Sequence, residues 1–116
     1  MPCLKILTNI PQREIPKDFV NKIIPILSKV VNKEEHKFIC TILGDCQLTF
    51  GGESASPGAV ATLESIGNLG PKENKVIVKG ISDFVQKELK IQPNRFFMTL
   101  YDVNAYAVGI NGNTVA

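Results

Sequence analysis

Lys37-Phe38-Ile39-Cys40-Thr41-Ile42 and Arg95-Phe96-Phe97-Met98-Thr99-Leu100 are the two stretches that decide the fold. Laid over one another, they match a basic residue, three apolar residues, a threonine and a further apolar residue. Each closes one half of the chain, and the two halves run in the same order. In the first half, residues 3–8 form a short apolar run of the strand type. Residues 18–31 then set Phe19, Ile23, Leu27 and Val30 at helical spacing, and 38–43 reads as a buried strand. In the second half, 60–66 reads as a strand and 72–89 as a helix with Ile77, Ile81, Phe84, Val85 and Leu89 on one face, and 96–101 reads as a strand. A right-handed crossover in each half makes its two strands parallel, so both helices fall on the same side of the sheet. The expected fold is α/β, a two-layer sandwich of a duplicated β-α-β unit with a four-stranded mixed sheet and two helices on one face.

Punctuation supports these boundaries. Pro16 suits a helix entry, Pro71 the first turn of the second helix, and Pro93 the loop returning to a strand. Pro25 objects, because inside a helix it removes a donor and clashes with the preceding turn at a cost of about 3 kcal/mol unless the helix bends. A kink is expected there, with Ile23, Ile24 and Leu27 holding the helix on the sheet. After Tyr101, Ile110-Asn111-Gly112-Asn113 is a hairpin signal. A hairpin beyond a completed domain, beside open sheet edges, is expected to reach a neighbouring subunit.

The chain has 116 residues and 44% hydrophobic content, enough for one domain over 1–116 with its own core. Net charge is +2 with scattered Lys and Arg, so no basic run tracks a phosphate backbone and nucleic acid is not an expected partner. Cys3, Cys40 and Cys46 are odd in number and lack CxxC spacing, which argues for free thiols and against a disulfide framework or a metal site. His36 is the only histidine, in a polar segment, so no His-based triad is expected and no cofactor is implied. Charges and prolines break the first 25 residues, leaving no uninterrupted stretch for a signal peptide, and no later run suits membrane insertion. Synthesis is expected in the cytosol, with export by an unconventional route left open.

The chain begins Met1-Pro2, and the small proline ring favours removal of the initiator methionine. That would leave a secondary amine whose pKa burial lowers from the ordinary value of about 8, a base that needs neither His, Cys nor metal.

Pro2 followed by a strand, Thr8-Asn9-Ile10-Pro11, Leu48-Thr49-Phe50-Gly51-Gly52, Ser65-Ile66-Gly67 and Val108-Gly109-Ile110-Asn111-Gly112-Asn113-Thr114 resemble, in order and spacing, the macrophage migration inhibitory factor family, which includes D-dopachrome tautomerase. The resemblance covers essentially the whole chain. It implies a homotrimer whose sheets wrap into a central barrel, with a tautomerase pocket at each subunit interface. For vertebrate relatives it also implies secretion without a signal peptide and cytokine activity through a cell-surface receptor.

Residue by residue, the resemblance makes Pro2 the catalytic base that interconverts keto and enol forms of compounds such as phenylpyruvate or dopachrome-type substrates. Lys33 takes the place of the lysine that holds the substrate carboxylate, although the family's Gly-Lys-Pro is Asn32-Lys33-Glu34 here. Ser65 and Ile66 match the segment whose backbone amide donates to substrate. From a neighbouring subunit, Phe97 and Thr99 stand where the family commonly has tyrosine and asparagine, so a phenol is lost and a hydroxyl kept. Ile110 replaces a tryptophan, Val115 an aromatic residue and Lys37 a pocket tyrosine, which thins the aromatic walls and adds a second cation. The family's CxxC aligns with Gly58 and Ala61, so thiol-disulfide activity does not carry over. Cys3 reads as a small hydrophobe or, if exposed, a reactive thiol. Three readings stand: a tautomerase of altered activity, a secreted signalling ligand whose chemistry is weak or absent, and a stable trimer with neither role.

Overall fold

The sequence places alternate apolar residues along its first strand, and the computed structural model, which describes residues 1–116, buries them. β1 (Cys3–Thr8) sends Leu4, Ile6 and Thr8 into the core, with Lys5 and Leu7 on the other side. α1 (Phe19–Val31) follows, then β2 (Ile39–Leu43), β3 (Ala59–Ser65), α2 (Pro71–Leu89) and β4 (Phe96–Asp102). A short hairpin, β5 (Gly109–Ile110) and β6 (Asn113–Thr114), ends the chain.

The sheet order is β2-β1-β3-β4. β1 and β2 are parallel, β3 and β4 are parallel, and the two halves meet antiparallel through β1 and β3. The duplicated hexapeptides therefore occupy the two edges. Within them Cys40, Ile42, Met98 and Leu100 pack toward the core, while Ile39 and Phe97 point away from it. The expectation of a buried strand at 38–43 needs correction. Phe38 is buried, but it follows a 3-10 turn at Glu35–Lys37, and β2 is an edge strand with Ile39 46% and Leu43 58% exposed.

Both helices cover one face of the sheet. The buried stripe of α2 is Ile77, Ile81, Phe84, Val85 and Leu89, as its spacing predicts. In α1 the stripe ends on Val31 rather than Val30, because a strict four-residue step from Phe19 through Ile23 and Leu27 lands there. Val30 turns instead toward Gly80 of α2, where a Cβ on the glycine would stand 2.6 Å from Val30 Cγ1. The helices thus approach closely at a position that only glycine fits. Phe19 and Phe84 meet across the same seam with ring centroids 5.4 Å apart. α1 runs unbroken past Pro25, its inward face holding the packing that offsets the missing backbone bond. No helix is long and apolar enough to cross a membrane.

Leu7, Ile39, Leu43, Phe97 and Tyr101 stand exposed on or beside the sheet face that carries no helix. A sheet with one covered face and one apolar, uncovered face is an unfinished structure in a single chain.

Candidate active site

Pro2 is buried at the head of β1, and its carbonyl accepts the backbone N–H of Ile39 at 2.9 Å. That bond fixes the chain's first residues against β2. The terminal amine of Met1 has its pKa lowered from 8.0, first by desolvation and then by the positive charges of Lys33 and Lys37. Beside it a cavity of about 280 Å³ is lined by Met1, Cys3, Ile39 and Glu64 at the sheet end and by Val103 and residues 107–110 of the C-terminal segment. The hairpin turn that follows, Asn111-Gly112, has both residues at positive φ (58° and 77°), the geometry expected of this dipeptide.

Lys33 is placed by the end of α1. Asn32 caps the helix in the left-handed conformation at φ 61°, its N–H donating to Ser28 O, and the Ser28 hydroxyl donates to Lys33 O at 2.6 Å. Asparagine tolerates this conformation much as glycine does, so exchanging Gly-Lys-Pro for Asn32-Lys33-Glu34 keeps the backbone turn that presents the lysine. Lys33 Nζ then donates to Ile66 O at 2.6 Å. That bond joins the end of α1 to the segment after β3.

The same segment is fixed from three further sides. Ser65 is fully buried, its hydroxyl donating to Gly67 O at 2.8 Å, and its carbonyl accepts Val103 N–H at 2.9 Å. Gly67, at φ 78°, donates to Asp102 Oδ1. Asn68 Nδ2 donates to both Val31 O and Asn32 O at 3.0 Å. Asn68 went unremarked in the sequence, although a Gly-Asn pair after a strand is a turn signal that could have marked it.

One chain therefore brings Pro2, Lys33, Ser65 and Ile66 to one end of the sheet. It does not bring Phe97 or Thr99 there. In the β3–β4 register Phe97 pairs with Val60 and Thr99 with Thr62, which pair through β1 with Leu7 and Lys5, well along the strand from Pro2. Phe97 is 60% exposed on the uncovered face. Any part these two residues take in a pocket is played in another subunit's site.

Lys37 flanks the site from the turn before β2, with Glu34 Oε1 at 3.8 Å. His36 is exposed beside Glu34 Oε2 at 3.6 Å. Cys3 is half-buried and lines the cavity. Cys40 lies deeper, and its thiol is pushed up to about 12 by burial first and by Cys3 second, which keeps it protonated. A larger hollow of about 670 Å³ is lined by Asn9, residues 46–49, Ser54 and Ala55, and Cys46 is the only titratable residue among them. The buried Pro2, the lowered terminal amine and the two lysines whose charges act on it fall at this end of the sheet, which makes it the candidate site.

Arg95, the counterpart of Lys37 in the repeat, has a different task. It is 8% exposed and donates to the carbonyls of Glu53, Ser56 and Pro57, while its guanidinium stands 4.8 Å over the Phe50 ring. Thr8 and Asn9 complete the clamp by bonding to Gly58, Ser54 and Ser56. Thr8-Asn9 and Phe50-Gly51-Gly52 thus hold one loop, with Gly51 and Gly52 at positive φ between bridge partners Phe50 and Glu53.

The sequence model described as "Macrophage migration inhibitory factor (MIF)" matches residues 1–116. The chain belongs to this family. The Xenopus tropicalis macrophage migration inhibitory factor is 32% identical over 116 residues, covering 100% of each chain. The macrophage migration inhibitory factor homolog of Brugia malayi is 36% identical over 114 residues, covering 98% of each. Among solved structures, the Trichinella spiralis macrophage migration inhibitory factor superposes with a TM-score of 0.91 at 30% identity, covering 97% of this chain and 98% of that one. The Prochlorococcus marinus homologue reaches the same TM-score at 20% identity, a likeness of fold. The two helices on a four-stranded mixed sheet are thus the family's α/β architecture.

Proposed function

We propose that the protein is a keto-enol tautomerase whose base is the amine of Pro2, freed by removal of Met1. The observation that carries this reading is the environment of the chain's first residues: a buried proline beside a terminal amine whose pKa desolvation, Lys33 and Lys37 all lower. A neutral amine at that point takes the proton from the carbon α to a carbonyl, leaving an enolate whose oxygen is then protonated, or in reverse takes the enol proton and delivers one to that carbon, so a base near neutrality suits the step. Lys33, oriented by Ile66 O, holds the carboxylate of a 2-keto acid so that the reacting carbon faces the amine. Ile66 N–H is a donor for the substrate, and the fully buried Ser65 holds that backbone in place. Met-processed protein is expected to convert the enol of phenylpyruvate, and a Pro2→Gly variant to lose that activity. No turnover above background in correctly processed protein overturns the reading.

The working unit in this reading is a homotrimer. The exposed Leu7, Ile39, Leu43, Phe97 and Tyr101 call for a partner surface, and only a second subunit can present Phe97 and Thr99 to the Pro2 end. Sedimentation at micromolar concentration tests it, a monomer being the contrary result. Cytosolic synthesis, release without a signal peptide and cytokine-like action through a cell-surface receptor complete the proposal, resting on family membership. One observation favours a second reading, a signalling ligand with weak chemistry: Phe97 carries no phenol to act as an acid. Stimulation of responsive cells by Pro2→Gly protein at wild-type potency would separate signalling from the pocket.

A further inference from the structure

We propose that Lys33 and Lys37 form a two-cation clamp that selects 2-keto acids bearing a second carboxylate, with Lys37 determining the specificity. This rests on the tautomerase site described above and names its substrate class. Both lysines are fixed through the backbone on either side of one hollow. Lys33 follows the left-handed Asn32 and is anchored through its carbonyl to the Ser28 hydroxyl. Lys37 closes a 3-10 turn whose N–H donates to Glu34 O at 3.1 Å, and two residues later Ile39 N–H holds Pro2 O. The hollow, of about 450 Å³, is lined by Ser28, Asn32, Lys33, Glu34 and Lys37, with no apolar side chain.

A phenyl ring gains nothing against such a wall, whereas a carboxylate gains charge-assisted hydrogen bonds. Lys33 has one N–H committed to Ile66 O and two left for an anion. The carboxylate paired with Lys37 is Glu34, at 3.8 Å with both side chains well exposed, a contact that a substrate anion can displace. Backbone geometry ties the hollow to the Pro2 end, through Ile39 N–H on Pro2 O at 2.9 Å and Lys33 Nζ on Ile66 O at 2.6 Å, and the charges of both lysines reach the terminal amine. A monoanionic keto acid uses one ammonium and leaves the other idle. A dianion uses both.

The test is a titration of the Met-processed protein, followed by NMR, with 2-oxopentanedioate and 2-oxopentanoate, which share a five-carbon chain and differ in a terminal carboxylate or methyl. The dianion is expected to bind about fivefold tighter, the upper end for one half-exposed ion pair, and the ratio to shrink with added salt. Lys37→Met should bring the ratio close to one. Glu34→Gln, which removes the competing carboxylate, should widen it. Equal binding of the two acids by the wild type, or a preference unchanged in Lys37→Met, overturns the proposal. Turnover of the phenylpyruvate enol, measured in parallel, separates the two readings. Turnover without a dianion preference refutes the clamp alone, and a preference without turnover refutes the proline base alone.

Discussion

Replacing Lys33 by Met separates two effects that a single ammonium exerts on the site. The first is on substrate. Lys33 Nζ is held at 2.6 Å from Ile66 O with two donors unspent, and a hydrogen bond to a charged group contributes roughly 1.5–3 kcal/mol. Its loss should lower kcat/KM for a 2-keto acid by roughly 10- to 150-fold. The second effect is on the base. Desolvation, then Lys33, then Lys37 lower the Met1 amine from 8.0, and the same causes are expected to act on the Pro2 amine that processing exposes. Removing Lys33 takes away a positive charge that disfavours protonation, so the amine's pKa rises. The rise is partial, because desolvation and Lys37 remain. A smaller fraction of enzyme then carries the free base at a given acidic pH, and the acid limb of the rate profile moves to higher pH. Lys33→Arg supplies the control, since it keeps the charge but changes the donor geometry. It should retain the wild-type acid limb while recovering only part of the lost kcat/KM. The assay is kcat/KM for the phenylpyruvate enol between pH 5 and 8.5 in the three processed proteins. A large fall in kcat/KM with the acid limb unmoved, or moved to lower pH, would refute the argument that this cation tunes the base.

Two further predictions concern the frame that holds the site. Gly80→Ala gains roughly 1 kcal/mol of helix propensity, but its Cβ would meet Val30 Cγ1 at 2.6 Å, and overpacking of this kind costs roughly 1–3 kcal/mol. Urea unfolding at fixed protein concentration should show no gain or a net loss, relieved by adding Val30→Ala, and additive effects of the two changes would contradict the close approach. Arg95→Met leaves the carbonyls of Glu53, Ser56 and Pro57 without their donor and should cost about 2–4 kcal/mol by the same assay. Glu53 supports the same loop: the N–H groups of Ser56 and Ala55, and then Arg95, hold its carboxyl below 4.5. The support it gives is present above that value and fades as pH falls through the lowered one, so proteolytic nicking of residues 50–58 should increase in acid.

Much of the fold was legible because each half carries a complete hydrophobic pattern of its own. The spacing in α2 named all five of its buried residues, and β1 was bounded correctly because alternation ends at Thr8 and turn residues follow. The edge position of β2 was hidden, since Ile39 and Leu43 are as apolar as core residues and only the uncovered face explains them. Val31 lost to Val30 because both valines fit helical spacing after Leu27, three and four residues on; the core takes the fourth and the seam with Gly80 takes the third.

The site divides in the same way. Pro2 was a candidate from its place after Met1, Lys33 only from the resemblance, and Asn32 shows why a changed loop can still present the lysine. Asn68 and the buried Arg95 act by bonding to backbone carbonyls that are distant in sequence, which no local pattern reveals. Phe97 and Thr99 were assigned to a neighbouring subunit, and their place in the β3–β4 register gives them no route to Pro2 within one chain.

The central claim, that the nitrogen of Pro2 is a desolvated base, is tested most directly by comparing Met-processed protein with a form extended by one residue before Pro2. The extension turns that nitrogen into a tertiary amide with no basic lone pair and leaves Lys33, Ser65 and Ile66 in place. The processed protein should convert the phenylpyruvate enol with an apparent pKa well below 8, and the extended form should be inert while keeping the same oligomeric state. Equal activity in the two forms would contradict the claim.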